Sequence, residues 1–153
     1  MKESKARKLR IAGTAAFILY LIALVYFLFF SEGYDRNVTR TVYHYNLIPF
    51  REIRRFWDNR AVLGFIPVFT NLAGNVLAFF PFGFFLPPIT RYKATFGFTV
   101  AMTFLFSLLV ECIQLLTKVG CFDVDDMIMN TAGGFIGCMV FYICNAIRRS
   151  MRK

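Results

Sequence analysis

The stretch that decides the fold is residues 111–137, E-C-I-Q-L-L-T-K-V-G-C-F-D-V-D-D-M-I-M-N-T-A-G-G-F-I-G. Glu111 and Gln114 close one apolar run, and the D-V-D-D cluster at residues 123–126 opens the next. A carboxylate or an amide at the end of a membrane span is costly to bury without a partner. The sequence therefore predicts that other parts of the chain meet these side chains and hold them in place.

The composition is that of a membrane protein. Of the 153 residues, 58% are hydrophobic and 18% are aromatic, and the apolar residues come in long runs. An ordinary soluble domain is therefore excluded. The formal net charge of +9 does not indicate nucleic-acid binding, because the basic residues stand at the ends of the apolar runs, as membrane topology requires. We expect an all-α, polytopic membrane protein that forms one domain over residues 1–153, with the lipid bilayer as its environment and no nucleic-acid partner.

Four apolar runs are long enough to cross a bilayer, since a helix of about 20 residues spans roughly 30 Å of hydrocarbon. The predicted transmembrane helices are residues 11–30, 71–89, 94–116 and 124–147. Pro81 predicts a kink in the second span, and Pro87 with Pro88 predicts its end. Residues 61–69 are apolar but too short to span, so we expect them to dip into the interface.

The connection over residues 31–69 contains a predicted amphipathic helix at residues 46–60. Three large apolar side chains fall at i, i+3 and i+7 on one face of it: Phe50, Ile53 and Trp57. Pro49 suits the first position of a helix. Two interpretations stay open, an interfacial helix with its aromatic side chains among the lipid headgroups and a short helix packed on the bundle.

The charges also predict the orientation in the membrane. With the N-terminus in the cytoplasm, the cytoplasmic segments hold eleven of the 18 Lys and Arg residues and a single acid, Glu3. This asymmetry follows the positive-inside rule. We predict a multi-pass protein of the cytoplasmic membrane with both termini in the cytoplasm and residues 31–69 outside.

Polar side chains share one face of each of the last three spans, and the predicted orientation brings them together at the outer face. The predicted ligand-binding residues are Asn71, Asn75, Glu111, Gln114, Asp123, Asp126 and Asn130, with Arg54 and Arg55 of the loop. Intramembrane acids are functional-site candidates, so Glu111 and Asp126 are the catalytic candidates should the protein be an enzyme. An ionised Glu111 needs a partner, which Arg51, Arg54 or Arg55 could supply.

Structural roles explain part of this pattern equally well. Asp123 and Asp125 fit helix capping and the positive end of a helix dipole. Asn75 and Asn130 can join helices through hydrogen bonds, and the G-x-x-x-G pair at residues 133–137 allows helices to approach closely.

The cysteines indicate no metal site. Cys112, Cys121, Cys138 and Cys144 form no C-x-x-C pair and have no His at metal-ligand spacing. We therefore expect these cysteines to pack as small apolar residues. Whether Cys112 and Cys121 pair outside the membrane stays open. We expect no cofactor, with Mg²⁺ at the D-x-D-D motif as the one alternative.

Four motifs occur in order along the chain: N-x-x-P-F (residues 46–50), G-N-x-x-x-F-x-P-x-G (74–83), E-x-x-Q (111–114) and F-D-x-D-D-x-x-x-N-x-x-G (122–133). Over residues 46–140 the chain resembles the VanZ-like family, small bacterial membrane proteins named for a factor in resistance to the glycopeptide teicoplanin. Cys121 departs from the pattern, where a basic or small polar residue is expected. The resemblance implies a bacterial cytoplasmic membrane and a role in the cell envelope.

Two classes of function fit the sequence. In the first, which we favour, the outer-face site binds a lipid-linked or peptidoglycan-related ligand, or the lipoglycopeptide itself, and arginines meet phosphate groups. In the second, Glu111 or Asp126 handles a proton or Mg²⁺ in a membrane-embedded hydrolase or transferase acting on an envelope lipid. His44, the one histidine, lies in the loop between Tyr43 and Tyr45, where an interfacial role is the simpler interpretation.

Overall fold

The protein is a bundle of helices with four membrane-spanning members. A computed structural model describes residues 2–30, 43–90, 95–118 and 120–151. In chain order the elements are α1 (Lys2–Phe30), β1 (Tyr45–Asn46), α2 (Arg51–Asp58), α3 (Arg60–Leu63), α4 (Phe65–Ile89), α5 (Phe96–Thr117), β2 (Phe122–Asp123) and α6 (Val124–Ser150). The segments long and apolar enough to cross a membrane lie in α1, α4, α5 and α6. This confirms the all-α class and the four spans; residues 31–42 of the predicted outer loop lie outside the described residues.

The second span begins earlier than predicted. α4 starts at Phe65, so residues 65–69 are part of the same helix as the second span, and the prediction that residues 61–69 dip into the interface stays a prediction. The predicted span starts at the polar Asn71, which in the structure lies within α4. The real break is Gly64, whose φ of 83° lies in the left-handed region, a conformation that glycine adopts without steric cost.

The prolines of α4 stay within the helix. Pro81, Pro87 and Pro88 all lie inside it, and it ends at Ile89, the predicted last residue of the second span. The Thr90 hydroxyl donates to the carbonyl oxygens of Leu86 and Pro87, at 2.9 and 3.1 Å. The last turn is thus capped by a side chain; the kink at Pro81 stays a prediction.

Helix α6 is the centre of the bundle and packs against α4 through glycines. A Cβ at Gly133 would overlap the carbonyl of Val76, and one at Gly137 would overlap the carbonyl of Phe80. A Cβ at Gly83 of α4 would in turn meet the backbone of Gly134. The close approach predicted from the G-x-x-x-G pair is therefore present, because backbones can touch only where no side chain intervenes.

On its other side α6 packs against a row of small polar side chains on α5. Thr99, Thr103 and Ser107 are fully buried, and Thr103 lies directly against Gly134. The Thr103 hydroxyl donates to the Thr99 carbonyl at 2.9 Å, so its polar group is satisfied within its own helix.

Helix α1 lies at the edge of the bundle. The Tyr20 hydroxyl donates to the carbonyl of Ala78 at 2.6 Å, and the rings of Phe17 and Phe82 lie 5.6 Å apart. Near the end of α1, the Leu28 carbonyl accepts a hydrogen bond from the Gln114 amide of α5 at 3.3 Å. Much of the exposed surface of α1 consists of apolar side chains, as expected of a helix that faces lipid.

A short parallel strand pair ties the loop to the start of α6. Tyr45 lies opposite Phe122 and Asn46 opposite Asp123, and the Phe122 N–H donates to the His44 carbonyl at 3.1 Å. The predicted helix at residues 46–60 is therefore shortened, because residues 45 and 46 are extended and α2 spans Arg51–Asp58.

Pro49 is not the first residue of that helix, contrary to the prediction. It lies in a turn, and Phe50, with φ of 64°, follows it as the N-cap. Phe50 and Trp57 are 61% and 58% exposed, so the aromatic side of α2 is open to the surroundings while its N-terminus is attached to the bundle.

Candidate ligand-binding site

The Asp125 carboxylate attaches α2 to α6. It is fully buried and accepts hydrogen bonds from the backbone N–H groups of Phe50, Glu52 at 2.7 Å and Ile53 at 3.2 Å. These are the amides that a helix leaves unpaired at its start. The sequence assigned Asp125 a role in its own helix; the structure instead makes it the cap of a helix more than 70 residues earlier.

Asp123 is the N-cap of α6, as the sequence predicted. Its Oδ1 accepts from the Asp125 N–H at 2.8 Å and from the Asn46 side-chain amide at 3.0 Å. Burial raises the pKa of this carboxyl above its ordinary value, and these hydrogen bonds offset part of the rise. Asp123 therefore joins β1 to α6 at the cost of burying a charge.

Glu111 closes the turn between α5 and α6. Its side chain is buried, and Oε2 accepts the backbone N–H of Asp123 at 2.8 Å. Arg55, one of the arginines predicted to meet it, pairs with Glu52, with Nη2 2.7 Å from Oε2. Glu111 therefore positions the start of α6.

The two asparagines of the predicted site bond across helices. The Asn75 amide of α4 donates to Asp126 Oδ1 of α6 at 2.6 Å, and the Asn130 amide of α6 donates to Ser107 Oγ of α5 at 2.9 Å. Asn130 is buried, and its Oδ1 has no hydrogen-bond partner among the described residues. The polar faces of the last three spans thus pack together, as their helical spacing predicted.

A cavity of about 620 Å³ lies at the end of the bundle where the loop meets α6. Predicted site residues that line it are Asn71, Gln114, Asp123, Asp126 and Arg55. Residues that line it and were not in the predicted site include His44, Tyr45, Asn46, Arg51, Glu52, Phe56 and Cys121. Glu111 and Asn75 belong instead to the layer that holds the lining residues, through the hydrogen bonds to Asp123 and Asp126. Asn130 bonds to Ser107, and neither of these two residues lines the cavity.

Helix α2 presents different residues to two concavities. Glu52, Arg55 and Phe56 line the cavity, whereas Ile53, Arg54, Trp57 and Asp58 line a separate surface groove of about 760 Å³. Arg51, at the start of the helix, lines both. The spacing of i, i+3 and i+4 explains the division, since such residues share one helical face. The sequence grouped Arg54 with Arg55, but the structure separates them.

The loop residues of the cavity carried a partial signal in the sequence. Asn46 begins the N-x-x-P-F motif, and His44 precedes it by two residues. Neither could be placed beside Asp123 without knowing of the parallel strand pair, because such pairings carry no local sequence signature.

The cysteines and the acids form no metal cluster in the described part of the chain. All four cysteines are free, so Cys112 and Cys121 do not form a disulfide. Burial and the nearby carboxylates of Asp123 and Glu111 raise the pKa of the Cys121 thiol. The three acids of the D-x-D-D motif bond to separate partners, and Mg²⁺ binding there stays a prediction.

The fold and the cavity define a class: multi-pass α-helical membrane proteins with a polar site at one end of the bundle. The chain belongs to the VanZ/LLP1 family, whose model matches residues 17–145. It is 28% identical over 141 residues to Protein VanZ of Enterococcus faecium, covering 89% of this chain and 77% of that protein. No solved structure matches the chain.

Proposed function

We propose that this protein is a bacterial envelope factor that binds a lipid-linked or peptidoglycan-related ligand in the cavity and thereby contributes to resistance to teicoplanin-type glycopeptides. The observation that carries the proposal is the cavity of about 620 Å³, lined by charged and amide side chains from the loop, α2, α4, α5 and α6. Pockets of roughly 300–1,000 Å³ with a few convergent polar groups are typical of ligand sites.

The family and the sequence charges support this proposal. The relative in Enterococcus faecium bears the name Protein VanZ, and the positive-inside count predicts that the cavity end of the bundle lies at the outer face. Exposed Trp57 of α2 is a residue type that favours the headgroup region, and Phe50, the exposed N-cap of α2, adds apolar surface of the kind that interfacial helices carry. A ligand could therefore reach the cavity from the membrane surface.

The test is a teicoplanin-resistance assay in a sensitive bacterium that produces the protein. Arg55→Gln and Asp126→Asn change residues that line the cavity. Arg54→Gln and Asp58→Asn change the same residue types in the surface groove, so they are matched controls. At equal abundance in the membrane, we expect the two cavity variants to lose resistance and the two control variants to keep it. Full resistance in both cavity variants would contradict the proposal.

An enzyme acting on an envelope lipid is the second candidate, and one observation favours it. His44 lines the same cavity as Asp123 and Asp126, and imidazole with carboxylate is a common acid–base pair in catalysis. Purified protein incubated with labelled envelope lipids, with Mg²⁺ or with a chelator, separates the two functions. Product formation that His44→Gln abolishes would favour the enzyme; unchanged lipid that stays bound would favour the binding protein.

A further inference from the structure

The charges of the cavity are divided between two walls. Arg51 and Arg55 belong to α2, on the loop side, together with Glu52, whose Oε2 lies 2.7 Å from Arg55 Nη2. Asp123 and Asp126 belong to the start of α6, on the bundle side. The attachment of α2 to α6 through Asp125 fixes the distance between the walls, since that carboxylate holds the first amides of α2.

The two walls share one electrostatic environment. Arg55 lowers the pKa of Asp123, although burial has the larger effect in the opposite direction. After burial, the carboxylates of Asp123, Glu111, Glu52 and Asp126 all raise the pKa of the Cys121 thiol, and Glu52 is the one that belongs to the loop wall. A ligand in the cavity would therefore meet both signs of charge, and interactions between charges strengthen as the charges come closer.

Neutral amides hold the acids in place. Asn46 donates to Asp123 at 3.0 Å, and Asn75 donates to Asp126 at 2.6 Å. An amide orients a carboxylate while leaving its negative charge available. The acidic wall is thus positioned by hydrogen bonds that preserve its ability to attract a cation.

This charge balance argues against a ligand of a single sign. Among the described residues that line the cavity there are two arginines and three carboxylates. A pyrophosphate alone would meet the acids, and a simple amine alone would meet the guanidinium groups. Either would place like charges close together, which costs binding energy.

We propose that the cavity binds a zwitterionic ligand, a phosphate ester that carries a primary amine, with the phosphate at Arg51 and Arg55 and the ammonium group at Asp123 and Asp126. This rests on the proposed function and names the class of its ligand. Guanidinium groups suit phosphate oxygens, and carboxylates suit ammonium hydrogens. The same chemistry occurs in an amine-bearing phospholipid headgroup and in a soluble amine-bearing phosphate.

Cys121 provides a native probe of occupancy, because it is exposed and lines the cavity. In a variant with Cys112, Cys138 and Cys144 replaced by Ala, maleimide labelling of Cys121 is measured in detergent at alkaline pH, where more of the thiol is ionised. Phosphoethanolamine is compared with glycerol phosphate, which lacks the amine, and with ethanolamine, which lacks the phosphate. We expect phosphoethanolamine to protect Cys121 at concentrations about tenfold lower than either half-ligand, as expected when two contacts act together.

Variants assign the two contacts. Arg55→Gln, which weakens the phosphate contact, should reduce protection by phosphoethanolamine to the level given by ethanolamine. Asp126→Asn, which weakens the ammonium contact, should reduce it to the level given by glycerol phosphate. Arg54→Gln, which changes an arginine of the surface groove, should leave protection unchanged. Equal protection by glycerol phosphate and phosphoethanolamine, with Asp126→Asn silent, would overturn the proposal in favour of an anion site.

Nanodiscs distinguish the two sources of the ligand. Protection of Cys121 in phosphatidylethanolamine nanodiscs but not in phosphatidylglycerol nanodiscs would identify a lipid headgroup. Protection by soluble phosphoethanolamine in both nanodiscs would identify a soluble ligand. Absence of protection by every probe would overturn the ligand class, whereas the proposed function would fail only if Arg55→Gln and Asp126→Asn also kept full resistance.

Discussion

At the scale of single residues, two neighbouring acids have different structural roles. Asp125 accepts three backbone N–H groups from the start of α2, while Asp123 accepts one backbone N–H and one side-chain amide. The sequence presents them as equivalent members of one motif. Their roles differ because their partners come from a distant loop that the local pattern does not contain.

We expect Asp125→Asn to destabilise the protein much more than Asp123→Asn. An asparagine offers a single oxygen in place of two, so at least one amide of α2 loses a charged acceptor, at about 1.5–3 kcal/mol. At position 123, asparagine is as good an N-cap as aspartate and removes a buried charge, so we expect a change below about 1 kcal/mol. Thermal unfolding in detergent measures both; equal destabilisation would contradict the assigned roles.

The raised pKa of Asp123 predicts a pH dependence of stability. Because burial lifts this pKa above its ordinary value of 3.8, the folded protein keeps the proton at pH values where the unfolded chain has lost it. The contribution of Asp123 to the free energy of unfolding therefore decreases as pH rises from about 4 through the raised pKa. We expect the stability of the wild type relative to Asp123→Asn to decrease over that range. If the stability of the wild type relative to Asp123→Asn increased with pH instead, the prediction would be contradicted.

At the scale of elements, the contact between α4 and α6 depends on glycine backbones. A methyl group at Gly137 would overlap the Phe80 carbonyl, whereas one at Gly74 would meet nothing within 4 Å. Gly137→Ala should therefore lower stability by about 1–3 kcal/mol through overpacking. Gly74→Ala should be neutral or stabilising by up to about 1 kcal/mol, from the higher helix propensity of alanine. Thermal unfolding of the pair checks this, and equal effects would show that the helices can separate freely.

Sequence reasoning found the elements more easily than their ends. The four spans follow from the length of the apolar runs, and α5 follows its predicted range closely, with Phe96–Thr117 against residues 94–116. The predicted second span starts at Asn71, whereas α4 starts at Phe65 and Asn71 lies within it, lining the cavity. The site was predictable only in part. The helical periodicity placed Gln114 and Asp126 in it, but the position of His44 and Arg51 on the loop wall depends on tertiary contacts.

At the scale of the whole molecule, the position of the cavity in the cell depends on the orientation in the membrane. We predict both termini in the cytoplasm and the cavity outside, from the distribution of Lys and Arg residues. A membrane-impermeant maleimide applied to intact cells should label a protein whose one cysteine is Cys121. It should fail to label a cysteine-free protein with Ser150→Cys until the membrane is permeabilised. Labelling in the opposite order would place the cavity in the cytoplasm.

The contacts of the loop with α6 also determine when the site forms during protein synthesis. Asn46 meets Asp123 across 77 residues of chain, and Glu52 meets Asp125 across 73. The ribosome makes α6 after every other helix described here, so α1, α4 and α5 are all synthesised before the partners of the loop exist. Until then the first amides of α2 lack their cap, and the acidic wall of the cavity has not been made. Translation that stops before Asp125 therefore yields a chain in which α2 has no cap and the cavity has no acidic wall.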